Sequence, residues 1–118
     1  MSKEILTLIE NVSPDDTEAL RKIDMKVAAY VTPTGCRGMI LKPYTTSRDA
    51  LKAIRPDKYE FPIDVLTNGA GFIFGYGCPA FNNGEFIAGY SLGFPTEELA
   101  ELHAIIQAIA HERETTNI

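Results

Sequence analysis

The chain has 118 residues, 45% of them apolar and 23% charged, with a net charge of −5, which excludes a globally disordered chain and an extended fibrous repeat. Its length suffices to bury one core without disulfide or metal staples, and a single domain spanning 1–118 is expected. No apolar run reaches the length of a membrane span, and the opening Met1-Ser2-Lys3-Glu4 lacks a signal-peptide layout, so a cytoplasmic protein is expected.

An N-terminal helix over 1–12 is expected, because Ile5, Leu8, Ile9 and Val12 fall near helical spacing. A second helix is predicted to start at Ser13-Pro14-Asp15-Asp16. Ser13 would cap it, Pro14 suits the first helical position and the carboxylates favour the positive end of the dipole. Leu20, Ile23, Val27 and Tyr30 continue its apolar stripe to about Val31, and Pro33 and Gly35 end it. Met39-Ile40-Leu41 is either a short strand or an extended apolar anchor. Thr46-Ser47-Arg48-Asp49 resembles a helix N-terminal cap, with Ala50, Leu51 and Ile54 on the buried side of a short helix ending before Pro56.

Strands follow. Tyr59, Phe61, Ile63 and Val65 alternate with Glu60, Pro62 and Asp64, and Pro62 points to a sheet edge. Phe72, Phe74 and Tyr76 alternate with Ile73, Gly75 and Gly77; Phe86, Ala88, Tyr90 and Leu92 alternate with Ile87, Gly89 and Ser91. Asn68-Gly69 and Asn83-Gly84 are turn dipeptides, so an antiparallel meander is the economical reading. From Thr96 to about Arg113 the period becomes helical, with Leu99, Leu102, Ile105, Ile106 and Ile109 in one stripe and a frayed tail over 113–118. The expected fold is α+β: a short antiparallel sheet of three to four strands covered by helices as a layered sandwich. The last helix is expected to pack Leu102, Ile106 and Ile109 against the sheet face carrying Phe72, Phe74, Phe86 or Tyr90.

No catalytic constellation emerges. The glycines of Gly69 to Gly77 neither open a helix nor end in Lys-Ser/Thr, so they are not a nucleotide loop. Cys36 and Cys78 stand apart with no nearby His, which suits small, partly buried hydrophobes. His103 and His111 lie eight residues apart on one helix, whereas a metal pair on one face uses a spacing of three or four. Asp57, Glu60, Asp64 and Glu85 read as a solvated acidic face. No cofactor, metal or enzymatic activity is expected.

Charge is unevenly placed. Arg37, Lys42, Arg48, Lys52, Arg55 and Lys58 stand against Asp49 and Asp57, a local surplus of +4 that leaves −9 to the remainder. Arg48, Lys52 and Arg55 share a helix face near Lys42, and either bind phosphate or nucleic acid or form an ordinary wet face. Reversing the three to Glu is expected to abolish nucleic-acid binding while sparing the fold, because they are expected on the wet side. Phe81, in the turn-like stretch before Asn82 and Asn83, is either an exposed anchor for a protein partner or tucked against the sheet. Asn82, Asn83, Glu97 and Glu101 complete that candidate protein-binding set.

The stretch Pro43-Tyr44-Thr45-Thr46-Ser47-Arg48-Asp49-Ala50-Leu51, followed by Ile54 and Pro56, resembles the phage ABA sandwich domain family. Phe94-Pro95-Thr96 entering the Ala-rich helix from Leu99 to Ala110, and the acidic helical start from Ser13 to Ala28, are also similar to it. The resemblance implies a small phage or prophage protein in which helices cover a sheet, with no catalytic residues to carry over. The expected role is non-enzymatic binding of a host protein or complex, for example inhibition of a CRISPR-type defence system. Nucleic-acid or phosphate binding through the basic segment is the alternative.

Overall fold

The computed structural model describes residues 2–32, 41–89 and 93–116. The fold is α+β, with four helices packed on two small antiparallel sheets. Helix α1 spans Ser2–Asn11 and buries Ile5 and Ile9. Helix α2 spans Thr17–Val31 and begins later than the Ser13-Pro14 signal suggests. Ser13 instead closes a turn by accepting from Asp16 N–H at 3.1 Å, and the Asp16 carboxylate caps the helix by accepting from Ala19 N–H at 3.1 Å. Of Met39-Ile40-Leu41, only Leu41 lies among the described residues, and it is exposed. Ser47 accepts from Ala50 N–H to cap the short helix α3, Arg48–Lys52, which buries Ala50 and Leu51.

The run from Tyr59 to Val65 does not form one strand. It breaks at Phe61-Pro62-Ile63 into β1, Tyr59–Glu60, and β2, Asp64–Thr67, which belong to different sheets. Strand β2 pairs with β3, Ile73–Gly77, while β1 pairs with β4, Ala80–Asn82, and β4 with β5, Glu85–Ala88. The order β1-β4-β5 places the β2–β3 hairpin as an insertion between β1 and its partner, which replaces the expected simple meander. Asn83 and Gly84, with φ of 53° and 84°, form the tight β4–β5 turn, as that dipeptide demands.

Helix α4, Glu97–Thr116, is the centre of the fold and touches α1, α3, β3, β4 and β5. Thr96 caps it by accepting from Leu99 N–H at 3.2 Å. Every residue from Leu99 to Ile106 is buried, so the helix is covered all round rather than along one stripe. It continues to Thr116, past the point where fraying was expected. Against it pack Ile5, Ile9, Leu51, Phe94 and the base of β3 at Tyr76. The expected layer of Phe72, Phe74 and Phe86 against α4 is absent: these rings are 72%, 64% and 59% exposed. Tyr90 lies outside the described residues.

Candidate functional site

The β2–β3 hairpin is rooted in the core and free at its tip. Along β3, Gly75 and Gly77 are buried and Tyr76 is half-buried, whereas Ile73 and Phe74 are exposed. The root is fixed by close backbone approach. Tyr76 N–H donates to Phe94 C=O at 2.8 Å, and Phe94 N–H donates back to Tyr76 C=O at 2.7 Å. A Cβ on Gly75 would meet Phe94 O at 3.2 Å, so the missing side chain lets these backbones come together.

The tip is organised by one side chain. Asn68 Oδ1 accepts from Ala70 N–H at 2.9 Å and from Phe72 N–H at 3.1 Å, while Asn68 N–H donates to Phe72 C=O at 2.9 Å. Gly71, at φ 85°, completes the loop. The β2–β3 register shifts between Leu66 and Thr67, where Leu66 faces Gly75 and Thr67 faces Ile73. Phe74 is the extra residue of that bulge, and bulges re-aim side chains. Phe72, Ile73 and Phe74 are thus presented together, with Val65, across from Tyr76, 50% exposed as well. Contiguous exposed apolar side chains of this size mark interaction surfaces, where aromatic rings contribute large contact area at low entropic cost.

The charged residues in this stretch of the sequence are of one sign. No Lys or Arg occurs from Tyr59 to Glu112, whereas Glu60, Asp64, Glu85, Glu97, Glu98, Glu101 and Glu112 do. Within the two sheets Glu60, Asp64 and Glu85 are all exposed.

The side chains expected to bind a protein partner are placed otherwise. Phe81 sits half-buried in β4, opposite Phe86 on β5, with the rings edge-to-face at 5.8 Å. It is therefore a sheet residue rather than a loop anchor. Asn82 is half-buried at the end of β4, and Asn83 is exposed in the turn. Glu101 is fully buried and does not reach a partner.

Glu101 and Glu97 instead meet the basic residues proposed for phosphate binding. Arg55 Nη2 and Arg48 Nη2 both donate to Glu101 Oε1, the latter at 3.4 Å, and Arg48 Nη1 donates to Glu97 Oε2 at 3.5 Å. Helix α3 ends at Lys52, so Arg55 leaves the shared helix face and turns inward to α4. Two of the four candidate cations are thus neutralised by acids, and reversing Arg48 and Arg55 to Glu would strike the fold rather than spare it. Lys52 stays exposed, 3.8 Å from Asp49, and Lys42 is half-buried.

Other polar groups serve structure. The Asp24 carboxylate accepts from Thr45 N–H at 2.9 Å and anchors the segment before α3 to α2; burial raises its pKa, and this bond partly offsets the rise. Burial, followed by the nearby Glu101 charge, pushes the Cys78 thiol up to about 12, so this thiol is a packing residue at neutral pH. Cys36 lies outside the described residues. His103 is buried 4.8 Å from the Phe94 ring, with Glu10 Oε1 3.7 Å from its Nε2. Burial lowers its pKa, and the Glu10 carboxylate opposes that shift. His111 Nδ1 lies 3.0 Å from the Tyr59 hydroxyl, which also donates to Glu112 Oε2 at 3.0 Å. Among the described residues, no group of three or more His, Cys, Asp or Glu side chains is placed to hold a metal ion, and Asp57, Glu60, Asp64 and Glu85 do not form one. No helix among them is long and apolar enough to cross a membrane.

Compared with known proteins, the sequence matches no family model, and neither a curated protein nor a solved structure matches it.

Proposed function

We propose that this protein is a non-enzymatic interaction domain that docks on a partner protein through the aromatic tip of its β2–β3 hairpin. The observation that carries this reading is the exposure of the consecutive residues Phe72, Ile73 and Phe74, where the loop fixed by Asn68 enters β3. Exposed aromatic side chains on a backbone held by hydrogen bonds lose little backbone freedom on binding, which suits an interface anchor. The narrower role, inhibition of a host complex such as a CRISPR-type defence system, rests on the expected phage type of the chain and on no particular residue. For the alternative of nucleic-acid or phosphate binding, Lys42 and Lys52 are the cations left outside the Glu97–Glu101 cluster.

The test uses three immobilised baits in a host extract: the unaltered chain, a Phe72→Thr/Phe74→Thr variant and a Lys42→Glu/Lys52→Glu variant. Thr keeps strand propensity while removing the rings. Quantitative mass spectrometry should show a protein captured by the first and third baits and lost from the second. That protein, purified and titrated against all three, should repeat the pattern. Capture lost only with the lysine variant, or replaced by salt-sensitive nucleic acid, would overturn the reading.

A further inference from the structure

We infer that this protein has a second binding site, an open cleft beside α2 that takes a free α-amino acid, with the ammonium group on Asp24 and the carboxylate on Arg21. The cleft holds about 470 Å³, within the range of small-molecule sites, and no residue of the hairpin lines it. Thr17, Leu20, Arg21 and Asp24 face it from α2, and Thr45 and Thr46 face it from the segment before α3. Asp24 is 9% exposed, and its Oδ1 accepts from Thr45 N–H at 2.9 Å. An ionised carboxylate has about four lone-pair sites, and among the described residues no other group donates to this one. Oδ2 is without a partner and, unlike the covered and unpartnered Thr45 Oγ1, is not sealed from solvent, so it is reached from the cleft. A buried carboxylate short of donors is costly, and a ligand ammonium brings N–H donors and a positive charge to it.

Arg21 supplies the opposite charge. It precedes Asp24 by three residues, the spacing that sets side chains on one helix face, and both line the cleft. Arg21 pairs neither with Asp24 nor with Glu18, and among the described residues it has no ion pair or hydrogen bond at all. A cation and an anion that share a cleft without meeting match the head group of an α-amino acid, which carries both charges on one carbon. Guanidinium also presents the fork that a carboxylate fits. The guest's side chain is directed along Leu20, because Leu20, Thr45 and Thr46 continue into an adjoining cleft with Pro14 and Leu99. Glu18 lines the first cleft and Glu98 the second, which disfavours an acidic side chain. Three carboxylates against one guanidinium likewise disfavour phosphate, or any carboxylate without an ammonium beside it.

The probes are L-leucine, isoamylamine, which lacks the carboxylate, and isocaproate, which lacks the ammonium. Each is titrated into the full chain while its amide NMR spectrum is followed. Leucine should shift the amides of Leu20, Arg21, Thr45 and Thr46, and each truncated probe should bind about tenfold or more weakly, as the loss of one charged contact implies. L-Glutamate should bind more weakly than leucine. Arg21→Gln, at an exposed site, should weaken leucine about tenfold and leave isoamylamine unchanged. Asp24→Asn, which keeps an acceptor for Thr45 N–H, should weaken both; should it fail to fold, the Arg21 variant and the three probes still decide. The Phe72→Thr/Phe74→Thr variant should bind leucine as the unaltered chain does, whatever becomes of hairpin docking. Equal binding of leucine and isoamylamine, or leucine binding indifferent to Arg21→Gln, would overturn the amino-acid ligand. Leucine shifts confined to other residues, or no shift with any probe at millimolar concentration, would overturn the site.

Discussion

Helix α4 and the β2–β3 hairpin are built from equally apolar sequence and meet opposite fates. Between Leu99 and Ile106 every side chain is buried, even Glu101 and His103, and the two arginines that balance Glu101 come from a distant segment. Between Phe72 and Phe74 every side chain is exposed, although all three are large and apolar. Polarity sets what a residue prefers, whereas burial is decided by what the rest of the chain brings to it. Charges inside and aromatics outside are the two departures from that preference in this molecule. The first serves the fold, and the second is the surface that the proposed function uses.

The largest effect expected from this contrast lies at the buried carboxylate. Arg55→Ala leaves Glu101 Oε1 with Arg48 alone, while Glu101 Oε2 is already without a hydrogen-bond partner. Stripping a buried charge of its counter-ion costs about 3–5 kcal/mol. A urea titration should show the midpoint falling accordingly, and an unchanged midpoint would mean that water reaches Glu101.

A smaller effect, visible only as pH changes, is expected at His103. Its pKa in the folded chain is held below the ordinary 6.5. As pH falls through 6.5, the unfolded chain takes up a proton that the folded chain refuses. The stabilising difference is therefore complete above 6.5 and is lost progressively below it. His103→Gln should shrink the fall in thermal midpoint between about pH 7 and about pH 5. A variant that loses as much as the unaltered chain would place the pH dependence elsewhere.

The same contrast explains what was legible in the sequence. Helices α1 and α4 lie where their apolar periods place them and differ from expectation only at their ends, because an apolar period is a local property. The start of α2 was misplaced because Ser13 and Asp16 compete for the capping role, and the side chain of Asp16 reaches Ala19 N–H. Strand alternation around Phe72 to Tyr76 was readable, yet alternation does not say which face another element covers. Here only the end of β3 at Tyr76 packs on the helical layer, and among the described residues nothing covers Phe74 and Phe72 before it. The continuous pattern from Tyr59 to Val65 concealed a break at Pro62 that sends the chain from one sheet to the other. The pairing of Arg48 and Arg55 with Glu97 and Glu101 joins residues about fifty positions apart, beyond the reach of any spacing rule.

The most direct measurement sets hairpin against helix by urea unfolding. Phe72→Thr/Phe74→Thr should leave stability within about 1 kcal/mol of the unaltered chain, since both rings face water and Thr suits a strand. Ile106→Ala, at a fully buried site on α4, should cost about 2–5 kcal/mol. A hairpin variant that loses as much stability as the Ile106 variant would place these rings in the core and contradict the account.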